Sequence, residues 1–472
     1  MTWGVFSTRE DPPGVRLRWG EICSDRGMGL GRKPAASGSK RELATTADAS
    51  PVQALDSKSW LRSPRLWLFF GIFAVAVTFI LGPLKQFSVD NPKRTPDFIE
   101  FYTAGTMVRR GLGRRLYDPD VQQRVEREFL PEGEFFPLDH PPFEAWLCVP
   151  FSFFSYRRAF VVWSVLSLIV LTLTLFLVRY TGYKMDATNR VAWIAAWLIP
   201  VVQAFAVGQD SVLLALIFLA GFLALKRRRD FLAGLVFGAG LYRFEIILPF
   251  VFIFVLRFRR KVLGGFFCAG AACFLASLAL VRWGGLRDYL HVLLEVGRTG
   301  GSRTNGVFLS SMLSLRAAVA AFLGAKLPEL DVFLIVLVAT VLMLGYAAWK
   351  FSSISQPEGR DFDLQFCLAV VVALLASYHL YVHELTPLLL VAFLALAYEH
   401  DAQGRRSMTV WKSISLLFLS FAMIFSPGVS IHRVNLTFFV VVGMAVWFSL
   451  EISALRRSSP VGESPGRWQA LP

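Results

Sequence analysis

The sequence predicts an all-α polytopic membrane protein, and three observations carry that expectation. Of 472 residues, 55% are hydrophobic, with 43 Phe and 13 Trp, and the mean hydropathy of +0.51 lies outside the soluble range. Apolar runs of roughly 17–22 residues recur along the chain, and about 20 helical residues cross a bilayer core. Basic residues gather at alternate connections between those runs, as they do on the cytoplasmic side of a membrane. The net charge of +15 is therefore read as membrane topology rather than nucleic-acid binding. Cys23, Cys148, Cys268, Cys273 and Cys367 are scattered and form neither a disulfide framework nor a zinc pattern. Six His are too few and too dispersed for a haem or metal-cluster enzyme.

Residues 1–60 are polar, lack apolar periodicity and read as a disordered cytoplasmic tail. No apolar stretch of a signal peptide follows Met1. The membrane domain is expected over 61–455, with a cytoplasmic tail over 456–472. Its first span, 66–84, follows Arg62 and Arg65, which places the N-terminus inside. A long extracytoplasmic loop, 85–157, comes next, with amphipathic stretches around 98–110 and 120–129. Within it 143–154 is too short to span and reads as interfacial or re-entrant. Further helices are expected at 158–178, 191–207, 210–226, a short pair at 231–241 and 246–256, and 262–282. A second outer loop covers 283–331. Helices at 332–350, 364–381, 384–398, 410–426 and 432–452 bring the total to about twelve, with both ends inside. Arg179–Arg190, Lys226–Arg229, Arg257–Lys261 and Lys350–Arg360 are then inner connections, and each carries basic residues.

The polar residues hardest to explain as solvated loop all fall on the outer face of this scheme. They are Asp97, Glu100, His140, Gln209, Asp210, Arg243, Glu245, Asn305, His379, His383 and Glu384. Ionisable groups at a membrane boundary are costly unless paired or functional, so their convergence suggests one site. Asp97 after Pro96 is either a helix N-cap or a carboxylate able to take a proton from an attacking hydroxyl. Gly208-Gln209-Asp210 is a tight turn with Asp210 capping the next helix, or a loop that binds a sugar or lipid head group. Arg243 pairs with Glu245, snorkels to the interface, or binds a lipid phosphate through its guanidinium. The Gly-rich segment 300–306, holding Asn305, is a cover over a cleft or a linker. His379 and His383, four apart, would share one helical face. The order His-His-Glu is not the HExxH metalloprotease pattern, and binding to a phosphate or acceptor is preferred to zinc. Asp118-Pro119-Asp120 and Asp361-Phe362-Asp363 have DxD spacing, but the first reads as a turn and the second lies on the inner side. Neither supports a metal-dependent nucleotide-sugar mechanism.

Taken in order, several segments carry a resemblance: Asp97-Phe98, Tyr102-Thr103-Ala104-Gly105, Gly111, Leu116-Tyr117-Asp118, His140-Pro141-Pro142-Phe143, Gly208-Gln209, Gly240-Leu241-Tyr242-Arg243, Asn305-Gly306 and the late His pair. Over roughly 65–450 the chain resembles glycosyltransferase family 87, the DUF2029 group of polyprenyl-phosphate-mannose-dependent α-1,2-mannosyltransferases. The resemblance implies a GT-C fold, a polyprenyl-phosphate sugar donor, a lipid or glycan acceptor, and a site facing the extracytoplasmic side of a bacterial inner membrane. It also implies inversion, with Asp97 as general base. The chemistry fits without a metal or other cofactor, because a monophosphate leaving group carries limited charge that Arg243 with a His would stabilise. Arg243, His379, His383, Gln209 and Asn305 would bind the donor phosphate and sugar. Tyr102, Glu100, His140, Asp210, Glu245 and Glu384 are further candidates. Arg243 stands where the family commonly has Lys, and the late His segment departs from the family's Pro/Trp-containing pattern. Two other readings are a lipid-linked glycan ligase or polymerase, and a transporter or lipid flippase. No internal repeat of the kind common in transporters is evident.

Overall fold

The structure is a computed structural model that describes residues 97–131, 135–185, 187–257, 259–299, 312–324, 326–351, 359–402, 430–431 and 434–458. The expected first span, the tail 1–60, Asn305 with its Gly-rich segment, the helix at 410–426 and most of the C-terminal tail lie outside these residues. The regular structure of the described residues is helical apart from a two-residue antiparallel pairing of Ser430–Ile431 with Val434–Asn435.

Three short helices precede the first long one: α1 (Phe98–Arg109), α2 (Pro119–Arg127) and α3 (Pro142–Cys148). The Asp118 side chain accepts from the Val121 amide and caps α2, so the first DxD-like segment is a capped helix start. Long apolar helices follow: α4 (Tyr156–Val178), α5 (Ala187–Val207), α6 (Ser211–Lys226), α7 (Asp230–Ala239), α8 (Phe244–Leu256) and α9 (Arg260–Thr299). Then come α10 (Leu315–Leu323), α11 (Glu329–Lys350), α12 (Arg360–Ala376), α13 (Leu388–Ala402) and α14 (Leu436–Ser458). Among the described residues, five segments are long and apolar enough to cross a membrane: Tyr156–Thr181, Asp230–Leu256, Arg260–Leu294, Glu329–Lys350 and Leu436–Arg457.

Two expectations need correction. The stretch 283–331 is not one long loop: α9 runs on to Thr299, and Leu315–Leu323 is helical. A break at Arg282, whose φ of 62° lies in the left-handed region, divides the first part of α9 from the stretch that runs on to Thr299. Nor do His379 and His383 share a helical face. α12 ends at Ala376, His379 is in irregular chain, and His383 sits in a 3₁₀ turn, Val382–Leu385. Pro387, which cannot continue a preceding helix without kinking it, separates that turn from α13.

The core is formed by α6, α8, α12 and α13, with α7 packed along α9 and α14 along α12. Phe218, Phe222, Phe237, Phe250, Phe254 and Phe366 interlock there, mostly edge to face. At one end of α6, Lys226 donates to Asp363 at 2.7 Å and to the Tyr183 hydroxyl at 2.9 Å. This ties together three connections expected on the inner side, and accounts for the second DxD-like segment as an ion pair. At the other end of the same helix stands Asp210. The 16 residues of α6 separate the two polar centres by about 24 Å at 1.5 Å per residue.

α1 is fastened to the start of α4 by aromatic rings. Phe98 is fully buried against Tyr156, Phe160 and Trp163, and Phe101 stacks on Trp163 at 5.6 Å. A Cβ on Gly208 would lie 2.6 Å from the Phe98 Cβ, and Gly208 has φ +75°. Only glycine suits both the conformation and the space. Gly208→Val is expected to cost about 2–4 kcal/mol from backbone strain plus overpacking. The check is a lowered denaturation midpoint of the detergent-solubilised protein.

Candidate functional site

The second polar centre is assembled from four separate stretches of chain. The turn at Gly208 presents Gln209, whose amide donates to Asp97 Oδ2 at 2.8 Å and to Glu100 Oε1 at 3.4 Å. The Gln209 carbonyl accepts from Arg243 Nη2. Arg243 Nε donates to Asp210 Oδ1 at 2.9 Å, and Nη1 to Glu384 Oε1 at 3.0 Å. Glu245 is farther, at 3.8 Å. The other oxygen of Glu384 accepts from the Tyr381 amide at 2.6 Å. One guanidinium thus binds the α5–α6 turn, the α7–α8 junction and the turn before α13, while Gln209 links it to the start of α1.

Local capping does not account for these side chains. Asp97 and Asp210 both stand at helix N-termini, but neither side chain bonds the first turn. The carboxylates are drawn instead to Gln209 and Arg243. Arg243 and Glu384 are buried, at 5% and 0% exposure, so the guanidinium serves as a buried counter-charge and does not snorkel.

A second group adjoins the first. His140 Nδ1 lies 2.8 Å from Glu144 Oε2, and Nε2 lies 3.7 Å from Glu100 Oε1 and 3.8 Å from Asp139 Oδ1. Phe101 covers the imidazole edge to face at 4.8 Å, and the Tyr117 hydroxyl donates to the His140 carbonyl at 2.6 Å. Burial raises the pKa of Asp97, against the opposing pull of Gln209, Arg243 and His140. Burial likewise pushes Glu100 well above the carboxylate range and Glu144 up to about 7. Burial opposes the charged form of His140, but the neighbouring carboxylates outweigh it and raise its pKa well above the usual value.

Of the residues singled out in the sequence, Asp97, Glu100, His140, Gln209, Asp210, Arg243, Glu245 and Glu384 come together here. His379 and His383 approach through the segment that carries Glu384, but among the described residues they give the centre no hydrogen bond. Tyr102 is turned elsewhere: its hydroxyl donates to the Phe154 carbonyl at 2.7 Å and ties α1 to the chain before α4. Glu144 was missed. Its signal was a lone carboxylate within the apolar 143–154 stretch, four residues after His140.

A helical membrane protein with an acid-rich polar centre at one pole is the class this geometry defines. The family model for glycosyltransferase family 87 matches residues 139–377. The chain belongs to that family and is a membrane glycosyltransferase. The match spans His140, Glu144, Gln209, Asp210 and Arg243, while Asp97 precedes it and Glu384 follows it. No curated protein and no solved structure matches the chain.

Proposed function

We propose that this transferase moves a hexose, mannose in the first instance, from a polyprenyl-phosphate sugar to a lipid or glycan acceptor. In this reading the chain has a GT-C architecture of about twelve helices, and the Asp97 pole faces the extracytoplasmic side of a bacterial inner membrane. The observation that carries the proposal is the Gln209 bridge, which holds the Asp97 carboxylate half-buried and 2.8 Å from a neutral amide. A carboxylate so held keeps its second oxygen for an acceptor hydroxyl. It takes the hydroxyl proton as the acceptor's oxygen attacks the anomeric carbon, and the sugar–phosphate bond breaks on the opposite face, with inversion and release of the polyprenyl phosphate. Arg243 shares its guanidinium with Asp210, Glu384 and Gln209, so it meets the leaving phosphate as part of that set. His379, His383 and Asn305 complete the donor side.

Radiolabel transfer tests the donor class. Membranes containing the protein are expected to pass label from a polyprenyl-phosphate monosaccharide into an acceptor fraction. Label that moves only from a lipid-linked oligosaccharide would identify a ligase or polymerase instead.

A further inference from the structure

We propose that His140, Glu144 and Asp210 hold a divalent metal ion beside the Asp97 centre, of the Mn²⁺ type that accepts carboxylates and imidazole together. One donor atom from each residue lies within 4.8 Å of the others, and all three residues are buried. Donor atoms around one ion, at bonds of about 2.1–2.3 Å, stand roughly 3–4.5 Å apart. The three donors are thus near enough for one ion to draw them together.

Two further observations point the same way. Arg243 occupies Asp210 Oδ1, while Asp210 Oδ2 is buried and accepts no hydrogen bond. A buried carboxylate oxygen without a partner is costly, and a cation at that position supplies the missing partner. His140 Nδ1 and Glu144 Oε2 are hydrogen-bonded at 2.8 Å, and this pair opens slightly when both atoms ligate one ion. The other ring nitrogen of His140 faces Glu100 and Asp139 at 3.7 and 3.8 Å. At these separations Glu100 and Asp139 act on the ring through charge and not as hydrogen-bond acceptors.

The charge balance gives the ion a use. Asp97, Glu100, Asp139, Glu144, Asp210 and Glu384 crowd around the guanidinium of Arg243 and the ring of His140. Such a centre repels an anionic phosphate until protons or a cation offset the carboxylates. A dication does so at one point and leaves Asp97 free to ionise. This use rests on the transferase reading, whereas the site itself does not.

The test is Mn²⁺ binding to the chelator-treated, full-length protein in detergent with no donor present, followed by electron paramagnetic resonance and by proton release. One equivalent of Mn²⁺ is expected to bind and to displace protons from the carboxylates and imidazole. Glu144→Gln and Asp210→Asn are each expected to weaken binding at least tenfold. Glu128→Gln, which alters a surface pair with Arg110, is expected to leave it unchanged. Failure of the wild-type protein to bind one equivalent overturns the site, as does equal binding by both ligand variants. A protein that transfers sugar without binding Mn²⁺ loses the site and keeps the transferase reading; one that binds Mn²⁺ without accepting the polyprenyl-phosphate donor does the reverse.

Discussion

Asp97→Asn is expected to lower sugar transfer by about 10²–10⁴-fold, the usual contribution of a positioned general base, while the protein still folds and extracts normally. Asn matches the shape of Asp, and its carbonyl oxygen accepts the same hydrogen bond from the Gln209 amide. It cannot accept a proton from the acceptor hydroxyl. The aromatic setting of Phe98 and Phe101 is untouched by the change, so α1 stays in place. A pH profile separates this role from a structural one. Burial raises the pKa of Asp97, and a base acts only when ionised. Wild-type kcat/KM should therefore fall as pH drops through that raised value, with an acid limb above the ordinary aspartate pKa of about 3.9. Residual transfer by Asp97→Asn should lack that limb. A variant that keeps both the rate and the limb removes Asp97 from the chemistry.

Arg243→Met is expected to give the largest loss of stability, about 3–5 kcal/mol, the usual cost of removing one partner from a buried ion pair. The guanidinium is bonded to Asp210, Glu384 and Gln209 at once. Its removal leaves two buried carboxylates without a counter-charge, and Glu384 has no exposure at all. The denaturation midpoint of the purified protein reads this directly. Adding Asp210→Asn and Glu384→Gln to Arg243→Met should recover most of the stability, because the uncompensated charges are gone. Recovery should not extend to sugar transfer. If Arg243→Met alone leaves the midpoint unchanged, the guanidinium is not what joins the three turns.

Much of this centre was legible because a membrane chain gives polar residues few places to go. Alternating basic connections assigned each turn to a face, and the residues left over on one face are largely those that Arg243 and Gln209 join. The Lys226–Asp363 pair at the opposite end of α6 follows the same logic. Exact partners were not legible, because hydrogen bonds across more than a hundred residues leave no local pattern. The capping chemistry at Asp97 and Asp210 was a sound local expectation, but partners across the fold, the Gln209 amide for Asp97 and the Arg243 guanidinium for Asp210, drew both side chains away from their helix starts. The His379–His383 spacing misled because α12 stops at Ala376, and periodicity has no meaning past a helix end. Tyr102 looked equally placed by sequence, yet its position on α1 directs the hydroxyl to Phe154. Glu144 escaped notice because 143–154 was read for its apolarity.

The most direct measurement is a density map of the protein with a polyprenyl-phosphate sugar bound. The predicted result puts the phosphate at the pole that holds Arg243, Gln209 and His140, with the anomeric carbon on the side from which an Asp97-activated hydroxyl attacks. A phosphate bound at the Lys226–Asp363 pole, or anywhere out of reach of Asp97, contradicts the account.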